Sequence, residues 1–276
     1  MTRNQTTDGP VRVAVLGATG RMGRSLLRAI HDSTEFELVG ALASRDSPAL
    51  GQDAGEVAGL SRRFGVAVSA ERAAALTRAE VALDFTLPAA TAANVAAAIE
   101  AGVALLVGTT GLGAELERQL EAASRHIALL RAANTSLGVN LLLRLVAQAA
   151  AALPPEYDIE ILEAHHRYKV DAPSGTARHL GEAAAAGRGS ELDDLGHADG
   201  ARSGPRPAGS IGFAVLRGGD IAGEHTVLFA GPGERLELTH RAHDRMTFAY
   251  GALRAAAWLR GRPAAAYSMA DVLGLD

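Results

Sequence analysis

The segment from Glu163 to Ala177, EAHHRYKVDAPSGTA, is the densest run of proton-moving and anion-holding groups in this chain of 276 residues. His165 and Lys169 stand four apart, a spacing that puts them on one face of a strand, with its period of two, and equally on one face of a helix, one turn on. An imidazole and an ammonium group aimed at one point form an acid–base pair. His166 points elsewhere if the segment is extended, so the adjacent histidines are expected to have different tasks. Asp171 to Thr176 places small residues and hydroxyls before a helical stretch. Ser174 suits the cap of that helix, and the amides of Gly175 and Thr176 suit a substrate carboxylate at its start. Zinc is the competing use for paired histidines, but the chain has neither an HExxH nor an HxxEH arrangement and no cysteine, so no metal is expected.

A second constellation lies near the start. Gly17, Gly20 and Gly23 stand at GxxGxxG spacing between VRVAVLG, a β-branched run, and RMGRSLLRAI, apolar at helical spacing. Glycine there lets the chain turn sharply, bring backbone N–H groups to a pyrophosphate and keep the helix close to the sheet, while the helix N-terminus adds about half a positive charge. Arg21 adds a cation. The next strand ends Leu42-Ala43-Ser44-Arg45-Asp46. A carboxylate at that tip would hold a ribose hydroxyl. No carboxylate occupies it, while Ser44 offers a hydroxyl and Arg45 a cation, so NADPH is expected to be preferred, with NADH as the second acceptable dinucleotide because Asp46, one residue on, is within reach of a ribose.

Positioning these groups takes two kinds of architecture. Strands at Val11–Gly17, Phe36–Ala43, Val81–Phe85 and Ala104–Val107 alternate with helices at Arg21–Ile30, Thr91–Ala101 and Ala114–Ser124, which predicts a doubly wound, Rossmann-type α/β domain with a parallel sheet. After Asn134 the pattern changes. A helix over Val139–Leu153 is closed by Pro154 and Pro155, a strand follows over Tyr157–Ala164 and a helix over Thr176–Ala186. A Gly, Pro and Asp-rich loop over Glu191–Pro207 leads to strands at Ile211–Leu216, Glu224–Ala230 and Arg235–His240. This predicts a second α+β domain on an open mixed sheet, with a last helix over Phe248–Leu259 returning to the first domain. The expected division is 1–135 with 246–276 for the dinucleotide, and 136–245 for substrate binding and oligomerisation.

Composition narrows the function. Twenty-seven Lys and Arg against 31 Asp and Glu give a net charge of −4, so no basic field draws the chain to nucleic acid or an anionic membrane. The stretches Val95–Val107 and Leu137–Leu153 are broken by polar residues and are too short to span a bilayer. Met1–Pro10 is polar, without the apolar core of a signal sequence, and reads as a frayed tail. A cytoplasmic location is expected, and the lack of cysteine fits a reducing compartment.

With these residues in place, the chain resembles the 4-hydroxy-tetrahydrodipicolinate reductase (dihydrodipicolinate reductase) family, NAD(P)H enzymes of diaminopimelate and lysine biosynthesis. The resemblance is carried by GATGRMGR from Gly17, DFT from Asp84, GTTG from Gly108, AANTSLGVN from Ala132, the EAHHRYKVDAPSGTA block, GDIAGEHTVLF from Gly219 and RMTFAYGALRAAAWL from Arg245. It implies that His165 is a proton donor and acceptor and that Lys169 is a proton donor that also draws in the acidic substrate. His166, Ser174, Gly175 and Thr176 are then expected on the substrate side. The implied cofactor contacts are Gly17, Ala18, Thr19, Gly20, Arg21 and Met22, then Gly108, Thr109 and Thr110, and Ala132, Ala133, Asn134 and Thr135; Ser44 and Arg45 at the strand tip and Phe85 of the DFT segment complete the expected set. It also implies hydride delivery to C4 of a cyclic imine dicarboxylate, a homotetramer whose second domains join their sheets, and a hinge that closes the cofactor domain over the substrate. Two positions depart from the family pattern: Ala43 stands where an acidic residue is common, and Thr135 where an aromatic is sometimes found.

Three competitors remain to be weighed. A short-chain dehydrogenase needs a YxxxK pair, and none of the four tyrosines has Lys four residues on. A thiol-dependent semialdehyde dehydrogenase needs a cysteine. The non-enzyme alternative is an NADPH-binding regulatory module without turnover.

Overall fold

The computed structural model describes residues 9–197, 206 and 208–275. The expected tail therefore lies outside the described residues up to position 8, as do 198–205 and 207 of the expected loop. In chain order the elements are β1 (Val11–Leu16), α1 (Arg21–His31), β2 (Phe36–Leu42), α2 (Ala54–Val57), β3 (Val68–Ser69), α3 (Arg72–Leu76), β4 (Val81–Asp84), α4 (Pro88–Ala101), β5 (Ala104–Val107), α5 (Ala114–Ala123) and β6 (Ala128–Arg131). Next come α6 (Leu137–Ala152), β7 (Asp158–His165), α7 (Gly175–Gly187), α8 (Leu192–Leu195), β8 (Gly196–His197), β9 (Ile211–Arg217), β10 (Gly223–Gly231) and β11 (Glu234–Ala242). The chain ends with α9 (Met246–Leu259), β12 (Ala265–Tyr267) and α10 (Met269–Leu273). These elements form two units, one reaching to Ser136 and resuming over Met246–Gly274, the other spanning Leu137–Arg245.

The first unit is a parallel sheet in the order β12-β6-β5-β4-β1-β2-β3. Parallel strands covered on both faces are apolar throughout rather than alternating. Thus Val13, Ala14 and Val15 of β1 and Val81, Ala82 and Leu83 of β4 are all fully buried. The strand order reverses between β1 and β4, and such a switch point opens a crevice at the carboxyl ends of the strands. The expected return of the last helix holds. The small, buried Ala249, Ala252, Ala255 and Ala256 let α9 approach closely, and the Thr135 hydroxyl donates to the Phe248 carbonyl at 2.7 Å.

The sheet is larger than the sequence reading, which has four strands in this half. β3, β6 and β12 are added. β3 has two residues and β12 three, too few to display a period, and β12 is recruited by pairing to β6 from across the chain. The one-turn helices α2 and α3 were also unread.

The second unit is a mixed sheet in the order β11-β10-β7-β9-β8, with β10 antiparallel to β7 and β11, and β9 parallel to β7 and β8. Helices α6 and α7 cover one face. Leu142, Val146, Leu180 and Ala184 from the helices close on Ile159, Ile161, Phe213, Val227 and Phe229 from the strands. The expected loop from Glu191 is corrected at its start, where α8 and β8 form. β8 exists through non-local pairing of Gly196 and His197 with Ile211 and Gly212, which no local pattern announces.

Candidate active site

The alternation that builds the core of the second unit also builds its polar cluster. On β7, Ile159 and Ile161 face α6 and α7, and the next two residues of the same phase are Glu163 and His165. On β10, Phe229 and Val227 are followed in phase by His225, which lies opposite Glu163. On β9, Arg217 lies beside His165. One end of a buried apolar face thus becomes charged.

Burial of charge demands partners, and Glu163, only 3% exposed, has four. Its Oε2 meets His165 Nδ1 at 2.6 Å and accepts from one Arg217 nitrogen at 2.7 Å. Its Oε1 accepts from the other Arg217 nitrogen at 2.7 Å and from the Ser174 amide at 3.0 Å. Burial resists ionisation here, but the Arg217 fork, then His165 and the Ser174 amide, outweigh it and hold the carboxyl below its usual range. Burial also lowers His165. Glu163 opposes that, and the charges of Lys169 and Arg217 reinforce it, so the imidazole sits below its ordinary value. His225 packs edge-on to His165 at 5.1 Å between centroids and is pushed down to about 4, first by burial and then by His165.

Lys169 reaches this cluster by a route other than the expected one. β7 ends at His165, and the Lys169 amide donates to the His166 carbonyl at 3.1 Å, so a turn separates the two residues. Neither strand nor helix phase relates them. The turn nonetheless keeps the ammonium close enough to act on the His165 titration, and Asp171 Oδ1 holds Nζ at 2.8 Å. Ser174 caps α7 as expected, accepting from the Ala177 amide at 3.2 Å. It is buried, however, and its hydroxyl also meets His225 Nε2 at 3.1 Å, so it braces the helix start from behind. His166 Nδ1 is buried without a partner, and a Cβ on Gly175 would meet nothing within 4 Å. The open space at Gly175 leaves room for an anion at the start of α7, and His166 Nδ1 is a ring nitrogen still open to a ligand.

The predicted cofactor residues of the first unit gather at one end of its sheet. Gly17 follows β1, Ser44 and Arg45 follow β2, Phe85 follows β4, Gly108 to Thr110 follow β5, and Ala132 to Thr135 follow β6. The Gly-rich turn has no space for side chains. A Cβ on Gly17, whose φ is 87°, would lie 2.7 Å from the Phe85 carbonyl oxygen, and one on Gly23 would lie 2.1 Å from that of Gly17. The Gly17 and Ala18 amides both donate to the Leu42 carbonyl at 2.9 Å, so the amides left for a phosphate are those that open α1, where Gly20 provides no side-chain cap. A cleft of about 340 Å³ runs past Gly17, Gly20, Ala43, Ser44 and Phe85. This cradle fits a dinucleotide.

Thr109 and Thr135 are both buried. Thr109 reaches Asp84 Oδ1 at 3.4 Å and Thr135 is turned to α9, so these two shape the crevice from beneath. Arg72 was missed by sequence reasoning. It opens α3, lines the same cleft as Ser44, and lines the neighbouring groove with Arg45. Its Nε donates to Oδ1 of the fully buried Asn94 at 2.8 Å. The only sequence signal was a cation just past an unread two-residue strand.

The comparisons with known proteins agree over both units. Family models described as dihydrodipicolinate reductase, N-terminus and C-terminus, match residues 11–135 and 138–273. The 4-hydroxy-tetrahydrodipicolinate reductase of Rhodopseudomonas palustris (strain BisA53) is 54% identical over 268 residues, 96% of this chain and 97% of its own. That of Afipia carboxidovorans is 53% identical over 267 residues, 96% of this chain and 97% of its own. The dipicolinate-bound dihydrodipicolinate reductase of Paenisporosarcina sp. TG-14 shares the fold, with a TM-score of 0.76 at 24% identity over 94% of this chain and 97% of that one. With a Gly-rich turn on one sheet, a buried Glu–Arg–His cluster on the other and family matches across both, the chain belongs to the dihydrodipicolinate reductase family.

Proposed function

We propose that this chain reduces 4-hydroxy-tetrahydrodipicolinate to tetrahydrodipicolinate in diaminopimelate and lysine biosynthesis. The observation that supports the reading is His165 held by buried Glu163 beside the start of α7, with Lys169 in the turn that follows β7, in a chain of this family. When bound, the reduced nicotinamide would supply a hydride to C4 of the unsaturated ring imine that remains once the 4-hydroxyl of the substrate has left as water. His165 and Lys169 exchange the proton that the reduced ring takes up, a contribution of about 10²- to 10⁴-fold for a positioned group. His166, Gly175 and Thr176 hold a ring carboxylate at the helix start, with Ser174 fixing that start from within. The first unit serves the dinucleotide. The amides opening α1, Thr19, Arg21 and Met22 serve its phosphates, and the segments at Phe85, Gly108–Thr110 and Ala132–Asn134 serve the nicotinamide side.

NADPH is the preferred dinucleotide in this reading. What supports it is that Arg72 lines one cleft with Ser44 and the neighbouring groove with Arg45, cations suited to a 2′-phosphate, and that Ala43 offers no carboxylate for a free hydroxyl. The second unit also serves self-association. Leu162 and Leu216, 43% and 54% exposed, stand on the sheet face opposite α6 and α7 and suit the sheet-to-sheet contact of a homotetramer. No helix among the described residues is long and apolar enough to cross a membrane, in keeping with a cytoplasmic enzyme.

The test is to generate the substrate from pyruvate and aspartate semialdehyde with the preceding synthase and to follow nicotinamide absorbance. Substrate-dependent oxidation of NADPH is expected. Tight NADPH binding with no oxidation would support the regulatory-module alternative instead.

A further inference from the structure

Glu163 stands apart from the groups assigned to substrate or cofactor, yet it makes four hydrogen bonds at the centre of the second unit's polar cluster. Its carboxylate accepts from four donors on three segments: both outer nitrogens of Arg217 on β9, His165 Nδ1 at the end of β7, and the Ser174 amide that caps α7. Arg217 is anchored in turn, donating to the Asp171 carbonyl at 2.6 Å. A carboxylate gripped bidentately by a guanidinium stays ionised, and an ionised carboxylate only accepts. The hydrogen between Glu163 and His165 therefore belongs to the imidazole.

We infer that Glu163 is the positioning residue of the acid–base histidine: held by Arg217, it keeps a proton on His165 Nδ1 in every protonation state, so Nε2 is the atom that gives and takes the reaction's proton. The surroundings of Nε2 agree. A Cβ on Gly223 would stand 3.1 Å from it, so the lack of a side chain there keeps that edge of the ring uncrowded. The same carboxylate ties the imidazole to the start of α7, and so sets the proton-exchanging atom and the proposed carboxylate subsite in one frame. This inference rests on the reading of His165 as the proton-exchanging group.

The charged and titratable groups around the ring come from every neighbouring strand. Glu163 favours the imidazolium. Arg217 on β9, Lys169 in the turn and any charge on His225 of β10 oppose it, and His240 on β11 acts one step further out, on His225. Asp171 offsets Lys169 by direct pairing. Replacing Glu163 by glutamine removes the one favourable charge and leaves a single acceptor oxygen where four donors compete.

The experiment uses full-length protein labelled with ¹⁵N in histidine. Long-range ¹H–¹⁵N spectra are recorded above the His165 titration, with the signal identified by its loss in His165→Gln. The wild type is expected to show the Nδ1–H tautomer. Glu163→Gln is expected to shift the ring toward Nε2–H, to lower kcat about tenfold or more with KM for both substrates nearly unchanged, and to move the His165 limb of the kcat profile to lower pH. A wild-type ring in the Nε2–H form overturns the inference, as does Glu163→Gln with an unaltered tautomer and pH profile. The wild-type spectrum decides even if the variant does not fold. Near-normal turnover in His165→Gln would instead overturn the acid–base reading, a result recognisably different from the wrong tautomer in an enzyme that needs its histidine.

Discussion

The turn after β1 and the end of β7 are built on opposite principles. The turn is built on missing side chains: Gly17 and Gly23 bring backbone within distances that no Cβ tolerates, and what it offers a ligand is main-chain amides. The end of β7 works because charged side chains are present where the strand's phase would otherwise supply isoleucine. Glu163 is buried in exchange for the Arg217 fork, the His165 ring and the Ser174 amide. The first site is therefore damaged by adding atoms and the second by removing them. Overpacking a closely built turn costs about 1–3 kcal/mol, whereas stripping one partner from a buried ion pair costs about 3–5 kcal/mol because the other charge is stranded.

The sharpest break of that contrast is in the chemistry. His165→Gln and Lys169→Ala should each lower kcat by about 10²- to 10⁴-fold while leaving NADPH affinity near that of the wild type. Steady-state kinetics with a parallel fluorescence titration measures both. If turnover survives either change, the cluster on β7 is structural. The converse change adds one methyl group. In Gly23→Ala the new Cβ would lie 2.1 Å from the Gly17 carbonyl oxygen, in the backbone of the same turn, so the turn must move. NADPH affinity should fall by about two orders of magnitude and the unit should lose about 1–3 kcal/mol in thermal melts, with His165 chemistry intact at saturating cofactor. Unchanged NADPH affinity would mean that the turn does not hold the phosphates.

The same contrast explains how much was legible in advance. The Gly-rich turn is local: strand, glycines and helix are consecutive, and each residue states its own steric reason. The β7 cluster is local only in part. His165, His166, Lys169 and Ser174 sit in one run and so stand out as candidates, but Arg217 and His225 join His165 and Glu163 through sheet register, one parallel and one antiparallel pairing away. Glu163 lay in plain view of the sequence without a role, because a carboxylate two residues before a histidine becomes its partner only on a strand end whose face is buried. Lys169 shows the opposite case, where a residue was singled out through a phase argument that the turn after His165 replaces. Arg72 and the strands β3 and β12 were illegible because segments of two or three residues carry no period, whereas β6, no shorter than the legible β4 and β5, went unread without that excuse.

Acid should distinguish the two units by the groups they bury. His225 is held down near 4 while an unfolded histidine titrates near 6.5, so below pH 6.5 the unfolded chain gains a proton that the folded second unit refuses. The stability it contributes is complete above pH 6.5 and is lost as pH falls toward 4, by up to about 3 kcal/mol. In the first unit, burial opposes ionisation of Asp53, but the amides of Phe64, Gly55 and Gly65 and the charge of Arg63 hold its carboxyl below the usual range. Its contribution persists until the carboxylate range is reached. Urea unfolding at pH 7, 5.5 and 4.5, with hydrogen exchange assigned to β7 and β1, should show protection of β7 falling first, and His225→Asn should flatten that slope. Equal loss from both strands across this range would remove the distinction.

The finest test concerns Arg72, the residue that gives the side-chain-poor crevice a charged edge. Its Nε is tied to buried Asn94, whose amide reaches Thr86 Oγ1 at 3.3 Å, so the rest of the guanidinium is aimed by a fixed base rather than by a free surface chain. A pre-aimed guanidinium loses less entropy on binding a phosphate than a free one does. Arg72→Leu should therefore weaken 2′,5′-ADP and raise the KM for NADPH by about tenfold, equal to about 1.4 kcal/mol, and leave 5′-ADP and NADH unaffected. If Arg72 only braces α3 against α4, both dinucleotides suffer alike. If neither suffers, Ser44 and Arg45 suffice, and the charged edge belongs to the strand tip alone.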